Sequence, residues 1–342
     1  MKNKLIFPII CTVIILILLF CGCDYFGADD VYIPIYQDAI YIMDADGSNK
    51  QKVIDVDNCD NVQFIQDSNK LLYRADNSLF TVNEDGTENT KISGDLLVID
   101  KVKPSISYNG EYITFNVQEG NNREVYIIEL SNGIITNISN TVFFDECCPK
   151  FSKSENLVCY SSNSADIGMI INVEYESMNK DTLYISNYNL GDVCYSINSN
   201  KVYFTQRSNR ALAQLKRIDR ETLITEVVTN NISFWNGGYF DINNYYYVIL
   251  QFNSGDWIVN ELDSKDTIIL GNIPFPNLSS SNSAIYSSDY DTSSNINFHN
   301  LLTNSIEIIM DNGKAPAFSE NDSLIVYVGR YLTNPKRNLI TR

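Results

Sequence analysis

Asp44, Asp46, Ser48 and Asp55 stand at places one, three, five and twelve of a segment beginning Asp44-Ala-Asp-Gly-Ser-Asn, a spacing of oxygen ligands that suits calcium. An EF-hand loop also needs glycine at place six and a helix on each flank. Here Asn49 holds place six, and the flanks alternate as strands do. About forty residues on, Leu79-Phe-Thr-Val-Asn-Glu-Asp-Gly-Thr-Glu repeats the pattern, with Asn83 in place of Asp44 and Gly94 in place of Asp55. The ligand set dissolves while Asp-Gly after an apolar run persists. That predicts a hairpin turn in which Asp-Gly tolerates positive φ, not a metal loop.

Other reactive side chains are sparse or scattered. His299 is the single histidine, so a Ser-His-Asp triad would have to use it, and no Gly-x-Ser-x-Gly elbow accompanies it. Alternation in Ile296-Asn-Phe-His-Asn puts it opposite Phe298, as a strand-surface residue, and a histidine-rich metal site is excluded. The 42 acidic residues make close carboxylate pairs inevitable by chance, but no sialidase-type Ser-x-Asp-x-Gly-x-Thr-Trp turn marks one. Neither a Gly-x-Gly-x-x-Gly nor a Walker loop is present. No catalytic residue, cofactor or metal is expected.

The chain opens Met-Lys-Asn-Lys, runs apolar from Leu5 to Cys21, and reaches Gly22-Cys23-Asp24. This is the form of a secretory signal. Its end resembles a bacterial lipoprotein box, which implies cleavage after residue 22 and lipid on Cys23. Phe20 and Cys21 depart from that box, and an uncleaved anchor is the alternative, although seventeen apolar residues with Pro8 are short for a span. Residues 1–22 are read as signal, 23–30 as a lipidated tether and 31–342 as one domain outside the cytoplasm. Loss of Lys2 and Lys4 would move the formal charge from −17 to −19, a surface that repels nucleic acid and anionic headgroups. Beyond Cys23, the five cysteines at 59, 147, 148, 159 and 194 are odd in number and irregular in spacing. They make a poor disulfide framework and read as buried strand residues, with a bridge between some pair left open.

The elements that must position all of these come from internal repetition. Strand starts like Ile40-Tyr-Ile-Met recur at Leu79, Val125, Met169, Leu215, Trp257 and Ile296. A second template, an apolar residue, a polar turn and an alternating strand, begins at Phe64 and recurs at Ile106, Phe151, Ile197, Phe240, Ser280 and Phe318. The two interleave with a period of about 44 residues, giving two hairpins per unit. Seven four-stranded antiparallel blades follow, an all-β propeller closed between the chain ends; six or eight blades stay open if a unit such as that around 277–291 is misread. Val31 to Tyr36 reads as one further strand.

Ile40 to Asn49 resembles the hallmark strand and turn of TolB-like propeller repeats, and Cys148-Pro-Lys-Phe-Ser and Ala315-Pro-Ala-Phe-Ser resemble the Pro-x-Phe-Ser strand that opens the same repeat. The resemblance covers about residues 31 to 330 and implies fold more than function, since such repeats serve translocation proteins, receptors and peptidases alike. The translocation protein carries an α/β domain before its propeller, which residues 24–30 are too short to supply. Peptidases with such propellers carry a separate hydrolase domain, for which no room is seen here.

Binding is the remaining class. In a blade running outward from an axis, loops between second and third strands share a face with those leading into the next blade. That face is expected to carry Asp60, Lys103, Asp145, Glu146 and Asp192, together with segments 120–124, 163–168 and 207–214. Arg207 and Arg210 interrupt its acidic rim, and Trp235, beside Asn-Gly-Gly, is the aromatic expected to be exposed. The candidate binding residues are therefore Arg207, Arg210, Trp235, Asp145 and Glu146. The expectation is a monomeric, lipid-anchored, non-catalytic module that binds a cell-envelope protein. A surface receptor for oligosaccharide or peptide is the alternative, and a divergent enzyme the third reading.

Overall fold

The computed structural model describes residues 35–99, 102–196, 198–207, 212–233, 247–251, 257–261, 267–271, 276–280, 283–288 and 294–333. The signal-like segment, Cys23, Arg210 and Trp235 lie outside the described residues. Gln37–Tyr331 forms one compact unit. All its regular elements among the described residues are strands, in six four-stranded antiparallel sheets and one of three strands.

Sheet 1 contains Cys59–Phe64, Lys70–Ala75, Ser78–Asn83 and Thr90–Lys91. Sheet 2 contains Ser105–Ile106, Tyr112–Glu119, Asn122–Glu129 and Ile134–Asn137, and sheet 3 Asp145–Phe151, Leu157–Asn163, Gly168–Glu174 and Asn179–Ser186. Sheet 4 contains Leu190–Tyr195, Lys201–Arg207, Leu212–Asp219 and Thr225–Ser233; sheet 5 has Tyr247–Gln251, Trp257–Glu261 and Thr267–Gly271. Sheet 6 contains Asn277–Leu278, Ser283–Ser287, Ile296–Asn300 and Ser305–Met310. Sheet 7 joins Gly313–Phe318 and Leu324–Thr333 to Ile35–Asp44 and Gln51–Val56, so its first two strands come from late in the chain and its last two from early in it.

The repeats fall where the pattern places them. The Ile40 template lies on the third strand of sheets 7, 1, 2, 3, 4 and 6 and opens the middle strand of sheet 5. Phe64, Ile106, Phe151 and Phe318 each end a first strand; Ile197 and Phe240 lie outside the described residues.

The core is laid between sheets. One cluster joins Cys159 and Ile170 of sheet 3 to Val193 and Phe204 of sheet 4; another joins Ile40 and Val326 of sheet 7 to Val62 and Leu71 of sheet 1. Similar layers join sheets 1 with 2, 2 with 3 and 6 with 7. A sheet covered on both faces buries its whole central strand, and Leu157–Asn163 is buried at every position. Fourth strands have water on their outer edge: Ser305–Met310 is exposed over its first four residues.

The Asp-Gly motifs are turns. Gly47 N donates to Asp44 O at 2.9 Å and Asp44 N to Ser48 O at 3.0 Å; Gly86 and Asn83 repeat this with Asn83 O and Thr87 O at 2.8 and 2.9 Å. Asp46 and Asp85 accept from the backbone N–H two residues on, each at 2.9 Å. The glycines supply the positive φ, +82° and +85°. They also let sheets approach, since a Cβ on Gly47 would sit 2.6 Å from Ile309 O in sheet 6, and one on Gly86 2.3 Å from Val53 O in sheet 7.

Candidate functional site

The second-to-third-strand loops of sheets 2 and 3 and the connections into the first strands of sheets 3 and 4 lie at a common end. Asp145 pairs with Asn163 there, and Asn163 pairs with Gly168. The Asn163 carboxamide then bonds both Leu190 O (2.9 Å) and Leu190 N (2.7 Å) of sheet 4. Gly168 packs so close to Tyr188 O that a Cβ would lie 2.4 Å from it.

Asp145 lies on this end, half-exposed and tied to Arg123 of sheet 2. It accepts from Nε at 2.9 Å, from Nη2 at 2.5 Å and from the Arg123 backbone N–H at 2.9 Å. Burial works to raise its pKa, but the guanidinium outweighs that and holds the carboxyl below its usual value. Glu146, expected on the rim, is fully buried instead. Its Oε1 accepts from Thr141 Oγ1 at 2.6 Å and Ser162 Oγ at 3.1 Å, while Oε2 has no hydrogen-bond partner. Burial raises its pKa, and those hydrogen bonds only partly offset the effect. Asp192 is also inside, 8% exposed, and burial pushes its carboxyl up to about 6. Asp60 stays near the surface but clasps Arg74, which is 5% exposed and also donates to Ile99 O (2.6 Å) and Val102 O (2.9 Å).

Arg207 ends the second strand of sheet 4 at this same end, and its backbone N–H donates to Asn189 O at 3.0 Å. Arg210 and Trp235 are outside the described residues, so of the five expected binding residues the structure brings Asp145 and Arg207 to one sheet end and puts Glu146 beneath it.

The feature missed in the sequence is an apolar tip. Val142 and Phe143, in the connection into sheet 3, are 77% and 84% exposed. The connection is pinned from below: Asn122 Nδ2 donates to Val142 O at 2.8 Å, Thr141 N–H to Glu124 Oε2 at 3.3 Å and Thr141 Oγ1 to Glu146. Ile167 and Tyr188 are exposed in the adjoining loops. The sequence signal is Val142-Phe143-Phe144 in a connection with no alternation to bury it.

A cavity of about 430 Å³ opens among the first strands and first turns of sheets 1, 2, 3, 4, 6 and 7. Phe64, Phe151, Phe318, Lys103, Lys150 and Lys153 are among its walls. His299 is not the strand-surface residue that alternation predicts. It is 1% exposed, with Nε2 2.8 Å from Asn304 Oδ1 and its ring edge-on to Tyr286, so the face of sheet 6 read as open carries an interior side chain. Among the described residues no three His, Cys, Asp or Glu side chains converge as metal ligands would.

No family model and no curated protein matches this chain. Its fold is similar to that of solved propeller structures. Oligogalacturonate lyase from Vibrio parahaemolyticus superposes with a TM-score of 0.61 at 10% identity, covering 87% of this chain and 98% of the lyase. TolB from Acinetobacter baumannii gives 0.53 at 12% identity, with 86% of this chain and 63% of that one covered. Puromycin hydrolase gives 0.58 at 9% identity, over 80% of this chain and 52% of the hydrolase. Likeness at such identities extends to the fold, and these neighbours include enzymes and a TolB alike: the chain has a TolB-like β-propeller fold.

Proposed function

We propose that this chain is a non-catalytic, seven-bladed propeller of the cell envelope, tethered outside the cytoplasm by lipid on Cys23, that docks a protein partner on the sheet end bearing Phe143. The exposed Val142–Phe143 tip carries the reading. A phenylalanine 84% exposed on a connection held at both Thr141 and Val142 by hydrogen bonds is a preorganised anchor, since little entropy is lost when it enters a partner's pocket. Arg123, Asp145 and Arg207 around it supply a polar rim. With a formal charge of −17, the fitting partner is an envelope protein with an apolar pocket in a basic surround.

Seven sheets, a seventh assembled from early and late strands, and one cavity reached from the first strands of six of them support closure into a ring of seven. The non-catalytic reading is supported by His299 being packed inside sheet 6. The test is affinity capture from detergent-solubilised native membranes, followed by mass spectrometry. One protein should be captured stoichiometrically and lost with Phe143→Asp, a surface change that leaves the melting temperature intact. Equal capture by Phe143→Asp refutes the docking surface, and radiolabelled palmitate retained by Cys23→Ala refutes the anchor.

A second reading, a receptor for oligosaccharide or peptide, is favoured by the cavity itself, whose ~430 Å³ and aromatic walls suit a small ligand. Calorimetric binding of such a ligand, undisturbed by Phe143→Asp, selects it.

A further inference from the structure

Cys147 and Cys148 are neighbours in the first strand of sheet 3. In a regular strand successive side chains point to opposite faces, and their thiols could not meet. Here the pairing steps from Cys147↔Ser161 to Lys150↔Cys159, two residues against one between the pairs, so the strand carries a bulge. Cys148 sits at φ +60°, left-handed and strained for a residue with a Cβ. The buried Asn116 side chain of sheet 2 holds the bulge from both sides, donating to Glu146 O at 2.9 Å and accepting from Cys148 N–H at 3.1 Å.

The bulge belongs to the repeat. Sheet 7 has it before Pro316, with Ala315 at φ +50° and a register shift between Lys314 and Ala317. Sheet 3 fills the equivalent two positions with cysteine, and both enter one cluster between sheets 3 and 4. Cys147 Sγ lies 3.0 Å from Ser161 Oγ, and the neighbouring cysteines act on each other electrostatically in opposite senses, Cys148 holding the Cys147 pKa down and Cys147, burial and Asp192 pushing that of Cys148 up. Cys59 and Cys159 make the contrast: burial pushes the Cys59 thiol up to about 12 and that of Cys159 higher still.

We propose that Cys147 and Cys148 form a redox dithiol that closes to a vicinal disulfide on reaction with a hydroperoxide. At 5% and 7% exposure the pair lies beneath the surface, so the oxidant proposed is a small hydroperoxide and not a docking protein. Cys147 is the attacking sulfur. Its Sγ lies 3.0 Å from the Ser161 hydroxyl, and the adjacent Cys148 thiol and the Arg123 charge hold its pKa below the usual thiol value against burial. Its thiolate takes one peroxide oxygen as the O–O bond breaks, the departing hydroxide gains a proton, and a sulfenic acid remains. Cys148 then attacks the Cys147 sulfur, its proton passes by way of Asp192 to the departing oxygen, the S–O bond breaks and water leaves. Two thiols and one hydrogen peroxide give one disulfide and two waters, with two electrons passing from sulfur to oxygen. Adjacent Cα atoms lie about 3.8 Å apart, short of the roughly 4.4 Å minimum for ordinary disulfides. The ring is therefore strained and open to reduction by small-molecule thiols, two of which supply the two electrons and leave as their own disulfide while the Cys147 and Cys148 thiols are restored.

The test uses reduced, purified full-length protein treated with equimolar hydrogen peroxide, denatured, alkylated and digested with trypsin. Peptide 124–150 should lose the mass of two hydrogens and resist alkylation until dithiothreitol is added, reacting at least tenfold faster than the peptides bearing Cys59 or Cys159. In Cys148→Ser the reaction should stop at a sulfenic acid on Cys147 that dimedone traps. Alkylation of both thiols after peroxide, or direct passage to sulfinic acid in the wild-type chain, overturns the proposal. The wild-type peptide map distinguishes these outcomes even if the variant fails to fold, and neither result depends on the docking reading.

Discussion

Replacing Gly86 by alanine separates the two roles of the Asp-Gly turn. Gly86 has φ +85°, and a Cβ there would stand 2.3 Å from Val53 O, a backbone acceptor in the fourth strand of sheet 7 that cannot rotate aside. Gly133 is the matched control, with φ +71° and nothing within 4 Å of its Cβ position. Both changes carry the left-handed cost of ~1–2 kcal/mol, but only Gly86→Ala adds a collision between sheets, an overpacking cost of ~1–3 kcal/mol. Gly133→Ala should therefore destabilise by ~1–2 kcal/mol and Gly86→Ala by ~2–5 kcal/mol. Urea unfolding followed by far-ultraviolet circular dichroism reads the gap. With a slope of ~3 kcal/mol per molar urea, ~2 kcal/mol separates the midpoints by roughly 0.7 M. Equal losses in the two variants would show that the glycine serves only its own turn.

Two further outcomes are expected. Asp192 is pushed up to about 6 from the usual 3.8 by burial, with the Cys148 thiol and the Lys150 and Arg123 charges opposing. A raised carboxylate pKa favours the folded state while the group is protonated, so this contribution is full below pH ~4 and lost as pH rises through 6. It is worth up to ~3 kcal/mol, and buried Glu146 acts in the same direction; urea midpoints at pH 5 and 8 should differ by less in Asp192→Asn than in wild type. Arg74→Leu should cost ~2–4 kcal/mol in the same unfolding assay, because Asp60 loses both guanidinium bonds and the Ile99 and Val102 carbonyls lose a donor.

The strands, their order and the turn chemistry were legible in the chain because each is local. Alternation made the strands, and Asp-Gly with its left-handed glycine closed the hairpins at Gly47 and Gly86. Recurrence of Ile40-like strands set the unit, and the third strand of six sheets bears it. The decision that Asp44 and its neighbours are turn acceptors was likewise written in the residues, since Asn83 and Gly94 leave the second copy no ligand set.

Exposure was not written there. Alternation says which face of a sheet a side chain takes, and that separates inside from outside only when one face meets water. Sheets 1, 2, 3 and 7 are packed on both faces, and His299 and Glu146 are interior although their positions read as surface. Only the three-dimensional arrangement set Arg74 against Asp60, held Phe143 in solvent on a hydrogen-bonded connection, and gathered two consecutive cysteines into one buried cluster at a bulge held by Asn116. These features depend on backbone that leaves the strand's two-residue period, at the bulges and in the connection, so strand alternation does not place them; Val142-Phe143-Phe144 marks the tip in the sequence only as an apolar run that no alternation buries.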